Sequence, residues 1–242
     1  MKIVAKTDTG KVRASNQDAY AAGELPNGVA WAVVCDGMGG VAGGNVASTT
    51  AVKIISEQIS SKYRSGMSSR SIKNMLFSAI TAANISVFEI GSSNDDLRGM
   101  GTTVVACILA GKEAYIAHAG DSRAYILHEN DLTQLTRDHS MVQDLVETGK
   151  ITQEEAEHHP RKNIITRALG VDSTIDIDFC VEELSDEDTL LICTDGLTNY
   201  VDIDEIREIT AENSFYGYAE SLVKRANENG GGDNITVVAL AY

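Results

Sequence analysis

Positive charge is scarce in this chain: 20 lysines and arginines stand against 35 aspartates and glutamates, a formal net charge of −15. That balance argues against nucleic acid or an anionic membrane face as partner, since both require basic surface. Long apolar runs are missing too. The longest, Thr102 to Ala110, falls far short of the ~20 residues that a bilayer-spanning helix needs. No basic-then-apolar leader opens the sequence, so a cytoplasmic protein without membrane insertion is expected. The four cysteines, Cys35, Cys107, Cys180 and Cys193, form no C-x-x-C pair and read as reduced, buried thiols. Histidine shows neither H-x-H nor H-E-x-x-H spacing, which removes the usual zinc patterns, and no EF-hand loop occurs.

What is present is grouped rather than alternating. Strand patterns cover Ile3 to Lys6, Ala19 to Ala22 and Val29 to Cys35, the last after a turn at Pro26-Asn27-Gly28. Two amphipathic helices follow, one carrying Val46, Ala47, Thr50, Ala51, Ile54, Ile55 and Ile59, the other running from Ile72 to Ile90. Strands return at Thr102 to Ala110, Glu113 to Ala119, Arg123 to His128 and Asp131 to Leu135. The short linkers Gly111-Lys112 and Gly120-Asp121-Ser122 predict antiparallel hairpins. An irregular polar stretch, Arg137 to Gly170, contains a capping box at Thr152 and Glu155. A buried strand (Thr189 to Cys193), a helix capped by Asp202 and Glu205, a last helix around Leu222 and a last strand (Ile235 to Ala241) complete the chain. With no internal repeat or linker, one domain over residues 1–242 is expected. The grouping favours an α+β class with largely antiparallel sheets, two of them packed together with helix pairs outside.

The stretch "AVVCDGMGG", Ala32 to Gly40, raises the functional question. Gly37-x-Gly39-x-x-Ala42 satisfies a dinucleotide fingerprint, with a strand before it and a helix after. Three features oppose that reading. Asp36 would repel a pyrophosphate at the helix start, a second helix stands where the fingerprint needs a parallel strand, and the expected ribose acid is missing. A Walker loop fails because no Lys-Ser or Lys-Thr follows the glycines.

The motif has echoes. "LLICTDG" ends a strand in Asp195-Gly196, "GGGDNITVV" places Asp233 at the mouth of the last strand, and Asp18 precedes the second. Each alone is an ordinary turn or cap. Together, several strand ends each present a carboxylate, beside glycines that allow close backbone approach and leave room for water or substrate. Clustered carboxylates stay ionised only with a cation, and an all-oxygen ligand set suits Mg2+ or Mn2+.

Arg13-x-x-Asn16-x-Asp18, Asp36-Gly37-x-Gly39-Gly40, Gly101-Thr102-Thr103, Gly120-Asp121-Ser122-Arg123, Asp195-Gly196 and Asp233-Asn234 occur in an order that resembles the metal-dependent Ser/Thr protein phosphatases of type 2C. "LTRDHS" (Leu135 to Ser140) and "HPRKNIITRALG" (His159 to Gly170) resemble the bacterial branch in particular. The resemblance spans Thr7 to Val238. It implies a sandwich of two antiparallel β-sheets with helix pairs on both outer faces, in agreement with the grouping above, and hydrolysis of phosphoserine and phosphothreonine in proteins. Asp36 would bridge two Mn2+ or Mg2+ ions, with the Gly37 carbonyl on one and Asp195 and Asp233 on the other. A water shared by the ions would attack phosphorus in line, consistent with the absence of a cysteine-based nucleophile loop.

Arg13 would grip the phosphate oxygens, and Asp18 would act on the second ion largely through water. Asn16 would support the site. Asn234 would orient a water or merely hold its loop. Asp121 would help bind a weaker third ion, or would be a turn acid paired with Arg123. Residues 137–170 would form a flap beside the site. Two departures stand out: Gln17 replaces a glutamate found in many relatives, and Met38 replaces a histidine proposed as proton donor in others. The expected partners are phosphorylated proteins, a Ser/Thr kinase among them, with the phosphatase a monomer. A binding module on the same fold, and a phosphomonoesterase for small molecules, remain as alternatives.

Overall fold

The computed structural model describes residues 1–242, apart from the side chain of Val41. Three strands open it: β1 (Lys2–Asp8), β2 (Asp18–Leu25) and β3 (Val29–Met38). The long helices α1 (Gly40–Lys62) and α2 (Ser69–Ser93) follow, then β4 (Gly101–Thr102), β5 (Val104–Ala110), β6 (Glu113–Ala119), β7 (Arg123–His128) and β8 (Asp131–Gln134). Two short helices, α3 (Met141–Glu147) and α4 (Gln153–Glu157), interrupt the polar stretch. The chain closes with β9 (Asp178–Glu183), β10 (Thr189–Cys193), α5 (Asp195–Thr198), α6 (Ile203–Glu212), α7 (Tyr218–Glu228) and β11 (Ile235–Ala241).

The strands form two sheets, ordered β1-β11-β10-β7-β8 and β2-β3-β5-β6-β9, with β4 added to the end of β3. Neighbours in both are antiparallel, as the register of β3 with β2 and β5 illustrates. Period-two alternation decides what each strand buries. Along β3, Ala30, Ala32 and Val34 point between the sheets, whereas Val29, Trp31, Val33 and Cys35 point toward α1 and α2. Leu190 and Ile192 of β10 face the inter-sheet core; Leu191 and Cys193 face α5, α6 and α7. Three apolar layers therefore separate four layers of structure, as the grouping of elements predicted. Burial on both faces explains why these strands read as continuous apolar runs.

Among the described residues, α2 alone is long and apolar enough, by length and composition, to cross a membrane. Its Ile72, Leu76, Ile80, Ala83 and Val87 are buried in the same cluster as the inner face of α1. Both predicted capping boxes form, at Thr152 with Glu155 and at Asp202 with Glu205. Three of the four free cysteines are buried and Cys180 is half-buried.

Several boundaries differ from expectation. β3 does not stop at Cys35 but runs on through Asp36 to Met38, because β4 continues the pairing, Gly37 with Thr102 and Met38 with Gly101. The predicted strand from Thr102 breaks at Thr103, whose N–H donates to the Asp36 carbonyl at 2.9 Å. Gly120-Asp121-Ser122 is not a hairpin: β6 and β7 lie in different sheets. A hairpin would have put both strands in one sheet. Instead Ala114 and Ile116 of β6 and Ala124 and Ile126 of β7 enter the inter-sheet core from opposite sides, so the linker crosses between the layers.

Candidate active site

Five aspartates from separate chain segments meet at one end of the sandwich. Asp18 and Asp36 face each other in register on β2 and β3. Asp195 begins α5 directly after β10, Asp233 precedes β11, and Asp121 sits on the crossing from β6 to β7. The geometry of the sandwich explains the convergence. Asp36 shares its strand parity with Ala30, Ala32 and Val34, so its carboxylate emerges where the inter-sheet core runs out.

Asp18 is buried, and its Oδ2 accepts hydrogen bonds from the hydroxyls of Thr194 (2.9 Å) and Thr236 (2.7 Å). Thr7 Oγ1 extends this network to Asn16, whose Nδ2 donates to it at 2.8 Å. Asn16 Oδ1 in turn accepts from the Asp18 N–H. Asp195 Oδ2 accepts from Asn199 Nδ2 at 2.9 Å. Thr103 Oγ1 accepts from the Asp36 N–H at 2.9 Å and pairs with Ser122 Oγ at 2.7 Å. Thr103 and Ser122 stand in the motifs that carry the resemblance but were given no role there, and Thr7, Thr194 and Thr236 were given none either; a lone hydroxyl carries no spacing signal.

The electrostatics are those of mutually repelling, largely buried acids. Burial first, then repulsion from Asp195 and Asp233, pushes the Asp18 carboxyl up to about 7. Burial and the charges of Asp195 and Asp138 raise Asp121 to about 7 as well. Asp36 lies well above the ordinary carboxylate range through burial and its four acidic neighbours, and burial with Asp233 raises Asp195. Two carboxylate oxygens, Asp18 Oδ1 and Asp195 Oδ1, are buried without a hydrogen-bond partner. Unpaired buried oxygens, raised pKa values and an all-oxygen donor set together fit divalent cations such as Mg2+ or Mn2+.

Arg13 lies half-exposed beside this cluster and donates to Asp233 Oδ2 at 2.7 Å. Asn234 spends its side-chain amide on its surroundings: Oδ1 accepts from the Gln17 N–H, and Nδ2 donates to the carbonyls of Thr9 and Ser15. Of the two roles expected for it, this geometry matches loop holding. Arg123 does not pair with Asp121; its guanidinium binds both oxygens of Asp138 at 2.6 to 3.0 Å.

The glycines of both Asp-Gly pairs serve close packing rather than open space. A Cβ on Gly37 would stand 2.1 Å from the Gly44 carbonyl oxygen, and one on Gly196 would stand 1.9 Å from that of Asn234. The expected room for substrate lies elsewhere. A groove of about 990 Å³ leads from Asp121 and Asp195 along Asp138, Glu147, Lys162 and Asn199. A smaller cavity of about 610 Å³ is lined by Met38, Asn163, Arg167 and Val171. Residues 137–170 contribute to both walls.

The family model described as "Protein phosphatase 2C" matches residues 10–235. The chain belongs to the protein phosphatase 2C family. A Listeria welshimeri relative named "Serine/threonine phosphatase stp" is 41% identical over 236 residues, covering 97% of this chain and 93% of that protein. The solved serine/threonine phosphatase of S. agalactiae superposes with a TM-score of 0.93 at 36% identity, covering 100% of this chain and 99% of that one. The catalytic domain of the phosphatase PstP, solved in complex with two manganese ions, superposes at 0.86 with 34% identity, covering 98% of this chain and 96% of that one. These protein phosphatase 2C structures share the antiparallel sandwich described above.

Proposed function

We propose that this family member hydrolyses phosphoserine and phosphothreonine monoesters of proteins, with its five clustered aspartates holding divalent cations. Protein phosphatase 2C enzymes are metal-dependent. Here Asp36, Asp195, Asp233, the Gly37 carbonyl and Asp18 would hold two Mn2+ or Mg2+ ions, and Asp121 would serve a third. The observation that carries this reading is the pair of buried, unpartnered oxygens, Asp18 Oδ1 and Asp195 Oδ1, inside a cluster whose acids repel one another. When bound, divalent cations neutralise that repulsion and supply the activated water and charge stabilisation that phosphate ester hydrolysis needs.

The chain's own residues do the rest. Arg13 is exposed enough to leave Asp233 for a phosphate, and its planar fork can bind two phosphate oxygens at once. Thr194 and Thr236 orient Asp18, and Asn16 and Asn234 hold the loops that carry Arg13 and Asp233. Met38 supplies no proton to the leaving group, so the serine or threonine alkoxide must be protonated from elsewhere. Residues 137–170 act as a flap that forms the walls of the substrate groove. The substrates would be phosphoproteins, a Ser/Thr kinase among them. The enzyme would act as a cytoplasmic monomer without nucleic-acid or membrane partners, in keeping with its acidic charge and free cysteines.

Phosphate release from a phosphothreonine peptide, measured with Mn2+, with EDTA and with Asp195→Ala, tests the reading. Turnover that requires metal and disappears in the variant is expected. Folded wild-type protein inactive at every Mn2+ and Mg2+ concentration would leave a binding module in its place.

A further inference from the structure

Asp121 sits on a linker of only three residues, Gly120-Asp121-Ser122, between strands of opposite sheets. How deeply its carboxylate enters the acidic cluster depends on how that linker is held. Two consecutive residues at the start of the segment 137–170 grip it on either side. Asp138 holds Arg123, as described above. His139 holds Gly120 twice: its main-chain N–H donates to the Gly120 carbonyl at 2.9 Å, and its Nδ1 accepts from the Gly120 N–H at 3.1 Å. His139 has no solvent exposure and burial lowers its pKa; the Gly120 N–H aimed at Nδ1 requires a lone pair on that nitrogen.

The other edge of the imidazole reaches the far end of the same segment. Nε2 lies 3.3 Å from Asp178 Oδ2 and 3.2 Å from Arg167 Nη1, and the His139 carbonyl accepts from the Thr166 N–H at 2.7 Å. His118 stacks on the ring at 4.9 Å between centroids. His118, His139 and Asp178 bring potential ligand atoms within 4.8 Å of one another, which invites a metal reading. The bonding opposes it: His139 Nδ1 is occupied by Gly120, and the Arg167 guanidinium already neutralises Asp178 at 2.7 Å.

We propose that His139 is a positioning residue for the phosphatase reaction, its imidazole fixing the Gly120 peptide and through it the Asp121 carboxylate while tying both to the two ends of the flap. The inference rests on the reading that Asp121 helps hold a divalent cation. His139 touches neither that carboxylate nor the substrate groove's phosphate end, so its effect is indirect and should appear as a change in cation affinity at Asp121.

The experiment compares wild type, Asp121→Asn, His139→Asn and His139→Gln by Mn2+ binding, counted from the EPR signal of free Mn2+, alongside thermal unfolding and kcat with a phosphothreonine peptide. The Oδ1 of asparagine occupies nearly the place of histidine Nδ1 and can still accept from Gly120; glutamine places its polar group further out. His139→Gln should weaken the weakest Mn2+ site about tenfold or more, the size typical of lost outer-shell contacts, and lower kcat with it. His139→Asn should retain most of the wild-type affinity. Loss of that site in Asp121→Asn but not in His139→Gln would overturn the role of His139 alone. Unaltered Mn2+ binding in Asp121→Asn would overturn the Asp121 reading and this inference together. Equal losses in both His139 variants, matched by equal losses of stability, would reduce the residue to packing. A variant-free arm covers misfolding: in wild type the Gly120 amide and His139 imidazole 15N resonances should shift during the weakest phase of a Mg2+ titration, and stationary resonances would refute the coupling.

Discussion

Asp18 and Asp36 occupy directly opposed positions on β2 and β3, two carboxylates on one face of an antiparallel pair. Like charges so placed destabilise a sheet, and here both are buried or partly buried as well. The fold thus accepts a local electrostatic penalty at the end of its inter-sheet core, which a divalent cation held there as proposed would remove.

The pH dependence of the metal-free protein follows from that penalty. Asp18 and Asp121 have folded-state pKa values of about 7, raised from an ordinary 3.8. Between those limits the folded state binds more protons than the unfolded one. Their contribution is therefore fully present below about pH 4 and is lost as pH rises through about 7. In EDTA, these acids should make the protein less stable at pH 7.5 than at pH 5.5. Saturating Mn2+ should raise Tm more at pH 7.5, by about 5–10 °C at a hundredfold excess over Kd. Differential scanning fluorimetry at both pH values checks this, and a larger Mn2+ effect at pH 5.5 would contradict it.

Asp195→Asn should separate stability from activity. Removing one of the mutually repelling carboxylates should raise Tm in EDTA at pH 7.5, while kcat/KM with Mn2+ falls about 100-fold or more, at least the upper end of what an outer-shell loss costs. Parallel unfolding and phosphate-release assays distinguish this from simple misfolding, in which both would fall.

Arg13→Lys should act almost wholly on the substrate. The Arg13–Asp233 pair is half-exposed, so its loss should change stability by no more than about 0.5 kcal/mol. Losing the planar fork should lower kcat/KM for a phosphopeptide about 10–100-fold, the range of a charge-assisted hydrogen bond. Steady-state kinetics beside urea unfolding would show whether the two effects part in this way.

Gly37→Ala and Gly196→Ala should each destabilise the fold, because the new methyl meets a main-chain oxygen rather than open space. Overpacking of this kind costs about 1–3 kcal/mol or more. A urea midpoint close to wild type for either variant would show that the backbone yields more easily than these contacts imply.

Much of the site was legible because each aspartate carries a local signature, an apolar strand followed by Asp-Gly or a glycine run before Asp-Asn. The strands and long helices were legible through their periodicities, and α4 and α6 through their capping boxes. β9 and α3 were missed: Asp178 to Glu183 lacks a clean alternation, and α3 rests on the cap at Ser140 rather than on an apolar stripe. The Gly120 to Ser122 linker was misjudged because a short polar turn looks alike whether it joins neighbours in one sheet or crosses between two. For the glycines of the Asp-Gly pairs, the expected close backbone approach holds and the expected room for substrate does not, for a related reason. A glycine's missing Cβ is visible in the sequence, but whether solvent or the Gly44 backbone fills the gap is not.

By itself, the order of apolar and polar residues determined the layers, since period two and period 3.6 each bury a defined face and the acids fall where the buried strands end. Only the tertiary structure decided which distant groups meet: Asp18 with Thr194 and Thr236, Gly37 with Gly44, and His139 with Gly120, Arg167 and Asp178. Those contacts arise from the packing of sheets, helices and connecting segments against one another, a global balance of burial to which no single stretch of sequence contributes enough to reveal its partner.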